Sequence, residues 1–148
     1  PPVHPDAEIF AVPGAKFGHV SDILQSSVIP ENVSHIIVAA GMNHRQDWTD
    51  VKAICAATQT IRSAFYTRRI PVHFLGVSFP TVGMQDEQKQ KLCRINDHLR
   101  EQFGKDYIEA LISSEVRIDP GDSYGCHYDA NTLATLAEKI AKSISSFQ

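Results

Sequence analysis

Apolar and polar positions along the chain follow two different repeat lengths. Short continuous apolar runs, typical of strands buried on both faces, lie at Ala7–Val12, His35–Ala40 and Val72–Val77. A fourth run lies either at Tyr107–Ile112 or at Glu115–Ile118, and the pattern leaves both open. Each of the first three runs is followed by proline or glycine, which indicates that a turn closes it.

Between these runs, apolar residues recur every three to four positions, which predicts amphipathic helices. A first helix is indicated by Val20, Ile23, Leu24 and Val28, with Ser21 or Asp22 able to cap it. Longer helices are predicted over Asp50–Tyr66, Gln85–Phe103 and Ala130–Ile144, the second of them stopped by Gly104. In the last helix, the positions predicted to face inward are Leu133, Leu136, Ile140 and Ile144.

Strands and helices that alternate in this way predict an α/β fold, with a parallel sheet covered by helices on both faces. The chain has 148 residues, of which 43% are hydrophobic and 21% charged, as expected for one globular domain over residues 1–148. No internal repeat or linker divides it.

Charge and cysteine content narrow the expected partners and compartment. A formal charge of −3 with scattered Lys and Arg gives no basic stripe, so direct binding of nucleic acid is not expected. Cys55, Cys93 and Cys126 form no paired motif, which favours reduced thiols in the cytoplasm or nucleus. No membrane span, metal site or cofactor is predicted. The five histidines His4, His19, His35, His73 and His98 show no ligand spacing.

Candidate chemistry lies where the predicted strands end, because ligands of parallel sheets bind beyond the carboxyl ends of the strands. Asn43 follows the second run and could donate its side-chain amide to an oxyanion, beside the backbone N–H of Gly14. His127 could act as a general base, oriented by Asp122, Asp119 or Asp129.

Four blocks in this order resemble the later blocks of the SGNH (GDSL-type) hydrolases: "VPGAKFGHVSDIL", "HIIVAAGMNH", "INDHLRE" and "GCHYDANTLATLAEKI". They are similar to the esterase-like domains of some vertebrate retrotransposons. The resemblance implies a flavodoxin-like three-layer α/β/α fold and hydrolysis of a small-molecule or lipid carboxylic ester by a serine nucleophile. It matches Gly14 and Asn43 to the oxyanion positions and His127 to the base.

The family's opening block, a strand that ends in Gly-Asp-Ser and carries the nucleophile, has no counterpart before Ala7. A literal Gly-Asp-Ser stands at Gly121–Ser123, in a different block, and makes Ser123 the candidate nucleophile within the chain. The family's acid three residues before the histidine is replaced by Tyr124, so Asp122 takes the candidate orienting role.

Two functions remain open from the sequence. In one, the chain is an SGNH-type esterase whose opening strand and serine are supplied from upstream. In the other, it is a catalytically inactive binding or assembly module of mobile-element or viral origin. A sheet without its first, central strand would expose unpaired backbone groups, which predicts upstream residues, a rearranged sheet, or completion by a second chain in a homo-oligomer or with a partner.

Overall fold

The computed structural model describes residues 16–26, 31–41, 51–66, 70–79, 84–123 and 127–145. The helices in these ranges are α1 (Phe17–Ser26), α2 (Val51–Tyr66), α3 (Asp86–Phe103) and α4 (Ala130–Ser145). The strands are β1 (Ile36–Val38), β2 (Val72–Leu75) and β3 (Tyr107–Ile108). The predicted strand Ala7–Val12 and the helical position Val28 lie outside the described residues.

In the part of the chain that is described, the strands form one parallel sheet in the order β1-β2-β3. Ile36 lies opposite Val72, and Phe74 lies opposite Tyr107. Parallel neighbours joined by helices are what the alternating pattern predicts, so the α/β fold class is confirmed. The fourth apolar run forms its strand at Tyr107, whereas Ile118 makes an isolated antiparallel bridge with Tyr128.

Successive side chains of each strand point to opposite faces of the sheet and into two separate cores. Phe74 packs with Phe17, Ile54, Ile61, Ile95 and Leu99, which places α1, α2 and α3 over one face. Its neighbour Leu75 packs with Ile108, Leu136 and Ile140, which places α4 over the other face. The arrangement is the predicted three-layer α/β/α sandwich.

Two details of the helices differ from the sequence prediction. Helix α1 begins at Phe17, so Ser21 and Asp22 lie within it and do not cap it; the His19 ring instead accepts the Lys16 N–H at 3.0 Å. In α4, Leu133 is 44% exposed, because the buried position beside it is taken by Thr132. The Thr132 hydroxyl accepts the Arg117 N–H at 2.9 Å, a polar contact that apolar periodicity does not register.

Strands β1 and β2 are shorter than their apolar runs. Gly41 lies at φ +107°, a conformation that favours glycine, and a Cβ at this position would lie 2.9 Å from the ring of Phe17. After β2, the buried segment Gly76–Ser78 leaves the ladder. A Cβ on Gly76 would meet the Ala110 nitrogen at 2.8 Å, so only glycine fits beside that backbone.

The backbone of Val77 is held by a side chain of α3. The Val77 N–H donates to Asn96 Oδ1 at 2.8 Å, and Asn96 Nδ2 donates to the Val77 carbonyl at 3.0 Å. The Asn96 amide thus replaces a strand neighbour for a residue that is 4% exposed. Both backbone groups of Val77 would lose their partner without this side chain.

We expect Asn96→Leu to lower the free energy of unfolding by about 2–4 kcal/mol. The change leaves two buried backbone groups without hydrogen-bond partners, at a cost of about 1–3 kcal/mol each. Urea unfolding followed by circular dichroism measures the change. Glu101→Ala, an exposed position on the same helix, serves as the control. A loss equal to that of the control would show that the Asn96 contacts do not stabilise the fold.

A pair of histidines lies beneath α4, at the amino ends of β1 and β2. His35 Nδ1 and His73 Nε2 are 2.9 Å apart and share a hydrogen bond, whose donor depends on the tautomers. The His73 side chain is fully buried. Burial lowers the pKa of His73, the adjacent His35 lowers it further, and the charge of Asp106 partly opposes them. The folded protein therefore favours neutral His73.

This shift predicts that acid destabilises the fold. The ordinary pKa of this side chain is 6.5, and since the folded value is lower, the unfolded chain binds the proton more readily. Stability is complete above about pH 6.5 and is lost as the pH falls from there toward the folded pKa. Thermal unfolding of His73→Gln should lose less stability between about pH 7.5 and about pH 5 than the parent, with His19→Gln as the exposed-histidine control. Parallel profiles for the parent and His73→Gln would contradict the assignment.

Candidate functional site

The carboxyl edge of the sheet brings together three segments: residues 39–41 after β1, residues 76–79 after β2, and the loop between Arg117 and Asp129 that precedes α4. Tyr128 joins the last two, because its hydroxyl donates a short hydrogen bond to the Ser78 carbonyl. At this edge, the loop before α4 is therefore held against the end of β2.

The loop before α4 is closed at its base by backbone hydrogen bonds. The Asp119 N–H donates to the His127 carbonyl at 2.8 Å, and the Asp129 N–H donates to the Arg117 carbonyl at 2.9 Å. Within the loop, the Gly121 N–H donates to Asp119 Oδ1 at 2.9 Å, a turn typical of aspartate. These bonds fix where Asp122 and His127 can lie.

Of the three carboxylates considered as partners of His127, Asp122 is the one in contact. Asp122 Oδ2 accepts the His127 backbone N–H at 2.7 Å and lies 3.1 Å from His127 Nδ1. The Asp122 side chain is 8% exposed, whereas that of His127 is 72% exposed. Asp119 and Asp129 are used elsewhere, since Asp129 Oδ1 accepts the Thr132 N–H at 2.8 Å and caps α4. A covered carboxylate thus contacts an exposed imidazole.

Of the other predicted site residues, Ser123 is described by the structure and two are not. Ser123 is an exposed turn residue of the same loop. Gly14 and Asn43 lie outside the described residues. The catalytic roles predicted for Asp122, Ser123 and His127, and the oxyanion roles predicted for Gly14 and Asn43, stay predictions.

A small cavity of about 110 Å³ opens at the same edge. Its lining consists mostly of aliphatic or small residues: Ala39, Ala40, Leu75, Gly76, Val77, Ser78, Tyr128 and Leu136. Both hydroxyls of the lining are engaged within the protein, because Ser78 Oγ accepts the Leu111 N–H at 2.8 Å and Tyr128 donates to Ser78. Burial raises the pKa of Tyr128 well above its ordinary value, so this hydroxyl keeps its proton at neutral pH. The cavity is suited to apolar groups.

Sequence reasoning missed the residues that build this edge. Asn96 and Ser78 act through side-chain hydrogen bonds to distant backbone, at separations of 19 and 33 residues, and apolar periodicity does not predict such contacts. Tyr128 follows the candidate base directly, and its hydroxyl anchors the loop to Ser78; the one general signal for this is that a buried tyrosine hydroxyl usually finds a hydrogen-bond partner. Within the described ranges, no three His, Cys, Asp or Glu side chains are grouped as metal ligands require. None of the helices described has the length and apolar content needed to cross a bilayer.

Comparison with known proteins gives one structural neighbour and no family. No protein-family model matches the chain, and a search of curated sequences finds no match. The structure is similar to the crystal structure of the OSK domain of Drosophila Oskar, with a TM-score of 0.70 at 14% sequence identity over 88% of this chain and 70% of that chain. At this identity the likeness shows a shared fold.

These findings correct the function expected from the sequence. The prediction of an SGNH-type hydrolase is wrong, and with it the esterase activity and the small-molecule or lipid ester substrate, because the similarity is to the OSK domain and no hydrolase family model matches. The similarity to the OSK domain also does not support the expectation that this chain does not bind nucleic acid directly. The alternative, a catalytically inactive module, fits the comparison better.

Two of the four blocks that suggested a hydrolase have structural explanations in this fold. In "INDH", Asn96 holds Val77, and His98 Nε2 lies 3.0 Å from the hydroxyl of the buried Thr58 between α2 and α3. In "GCHYDANT", Tyr128 anchors the loop and Asp129 caps α4. Short blocks that serve strand ends, caps and helix contacts can therefore recur in order without a shared reaction.

Proposed function

We propose that the chain is a catalytically inactive binding module, and that its carboxyl sheet edge receives an aliphatic side chain from a protein partner. The observation that carries the proposal is the apolar cavity lined by Ala39, Ala40 and Leu136. The two hydroxyls in its lining, those of Ser78 and Tyr128, already form hydrogen bonds within the protein. Such a pocket offers little to a polar substrate and favours a group that needs no hydrogen bonds.

The size of the cavity supports an aliphatic occupant. A volume of about 110 Å³ is somewhat below the roughly 150 Å³ of an engineered apolar cavity that stays dry and binds benzene. A leucine, isoleucine or methionine side chain fills a space of this order, and burying one is worth about 1.5–3 kcal/mol. The exposed position of Ala39 leaves the mouth open to such a group.

The polar residues of the edge support binding over reaction. The Asp122 carboxylate serves the loop, since it accepts the His127 backbone N–H as well as contacting the ring. Ser78, the serine directly after β2, is 3% exposed and accepts the Leu111 N–H. These groups hold the end of β2 and the loop that carries Tyr128, which supports a pre-organised binding surface.

An intracellular compartment, either the cytoplasm or the nucleus, belongs to the same proposal. Within the described residues Cys55 and Cys93 are free thiols, and Cys93 is exposed on α3. Exposed unpaired thiols are typical of reducing compartments.

The proposal is tested by titrating ¹⁵N-labelled protein with N-acetyl-leucine amide and with N-acetyl-asparagine amide, which has nearly the same shape but a polar end. We expect the leucine derivative, in the millimolar range typical of single-residue ligands, to shift the amide signals of Ala39, Ala40 and Leu136. The Ala39→Phe variant, whose ring should occupy the mouth, should lose the response. Ala56→Phe, exposed on α2 over the other face of the sheet, is the matched control.

Equal shifts with the asparagine derivative, or a response that persists in Ala39→Phe, would show that the cavity is not an aliphatic socket. A single-stranded oligoribonucleotide is titrated in parallel. If the RNA alone shifts the signals of this edge, a protein partner is the wrong class and the proposal fails.

A further inference from the structure

We infer that the protein partner is a second copy of this chain, and that Leu133 of each copy is the aliphatic side chain that enters the cavity of the other. The inference rests on the proposed function and names its partner. Its basis is that one helix, α4, carries both a wall of the cavity and an exposed leucine.

Leu133 lies beside the cavity on α4 but points to solvent. Leu136 lines the cavity and is 7% exposed, whereas Leu133 is 44% exposed. Side chains three positions apart on a helix are neighbours, with Cβ atoms about 5–6 Å apart. Tyr128, just before the helix, also lines the cavity, so Leu133 stands at the same end of α4 as the cavity.

The apolar surface of α4 is wider than the face that packs on the sheet. Its buried positions are Thr132, Leu136 and Ile140. An outer stripe of apolar residues runs beside them, half-buried at Ala137 and exposed elsewhere: Ala130, Leu133, Ala134, Ala137 and Ala141. A helix that packs on one side alone carries polar residues on its other side. The outer stripe therefore indicates a second packing partner for α4.

A surface that carries both a cavity and an exposed side chain that fits it is complementary to its own copy. Two copies related by a two-fold axis place the same patch of each chain against the other, so each provides one leucine and receives one. The cavity of about 110 Å³ is of the size that a leucine side chain fills. The exposed leucine and the cavity thus answer each other.

The remaining side chains of the outer side of α4 permit this contact. The alanines of the outer stripe add little bulk, which allows a second helix to approach closely. Beside the stripe, Lys142 Nζ lies 3.2 Å from Glu138 Oε1, so this pair carries no net charge. Two copies therefore meet here without like charges of these side chains opposing each other.

The first experiment measures self-association by sedimentation velocity at increasing protein concentration. The patch is small beside the roughly 1,200 Å² or more that stable complexes bury, so we expect a dissociation constant on the order of 100 µM. Leu133→Asp should raise it about tenfold or more, because a carboxylate is poorly accommodated in an apolar cavity. The control Ile112→Asp adds the same charge at an exposed apolar residue outside α4, 64% exposed, and should associate like the parent.

The second experiment separates the two sides of the contact. Ala39→Phe, which blocks the mouth of the cavity, should weaken self-association as Leu133→Asp does. An equal mixture of these two variants should associate about three- to tenfold more tightly than either alone. The reason is that the Ala39→Phe chain keeps its leucine and the Leu133→Asp chain keeps its open cavity. Circular dichroism checks that each variant is folded.

A parent that stays monomeric up to about ten times the expected dissociation constant would overturn the inference. Equal effects of Leu133→Asp and Ile112→Asp, or no gain on mixing, would also overturn it. The proposed function is judged separately, by titrating folded Leu133→Asp with the leucine and asparagine derivatives. A response of Ala39 and Leu136 to the leucine derivative alone would leave that function standing with a different protein as partner. No response would overturn both.

Discussion

The backbone of Gly76–Ser78 leaves the sheet while it is still buried, so its polar groups need hydrogen-bond partners outside the strands. The arrangement of the whole carboxyl edge depends on which groups serve as those partners. The Gly76 N–H returns to β3 through the Ile108 carbonyl at 2.8 Å. Asn96 of α3 takes both backbone groups of Val77, and Tyr128 and Leu111 bond to Ser78. One short segment thus joins helix, strand and loop, since buried polar groups left unpaired would each cost about 1–3 kcal/mol.

The same requirement decides what the edge can do. Groups that would be suited to chemistry in an open crevice, such as the hydroxyls of Ser78 and Tyr128, are occupied in completing the backbone hydrogen bonds. The space that remains is apolar. Such a space supports the proposed recognition of an aliphatic group, and the structural neighbour shows the fold without supplying a reaction.

The sequence predicted the layers well because they depend on local periodicity. The α3 positions Leu92, Ile95, Leu99 and Phe103 are buried as their spacing indicates, and the parallel sheet follows from alternating elements. What failed depends on contacts between distant residues. Thr132 displaces Leu133 from the core by a hydrogen bond to Arg117, and His35 meets His73 across two strands. The sequence leaves open which of three aspartates contacts His127, and in the structure Asp122 Oδ2 lies 3.1 Å from His127 Nδ1. Motif blocks misled because caps and strand-end contacts produce similar short sequences.

Hydrolysis of p-nitrophenyl butyrate distinguishes an edge that binds a ligand from one that reacts with it. We expect the parent protein and His127→Ala to release p-nitrophenol at the same rate, no faster than an equal concentration of free imidazole accounts for. Turnover that is at least about a hundredfold above that level, and that is lost in a folded His127→Ala variant, would contradict this expectation, since catalytic groups contribute on the order of a hundredfold or more.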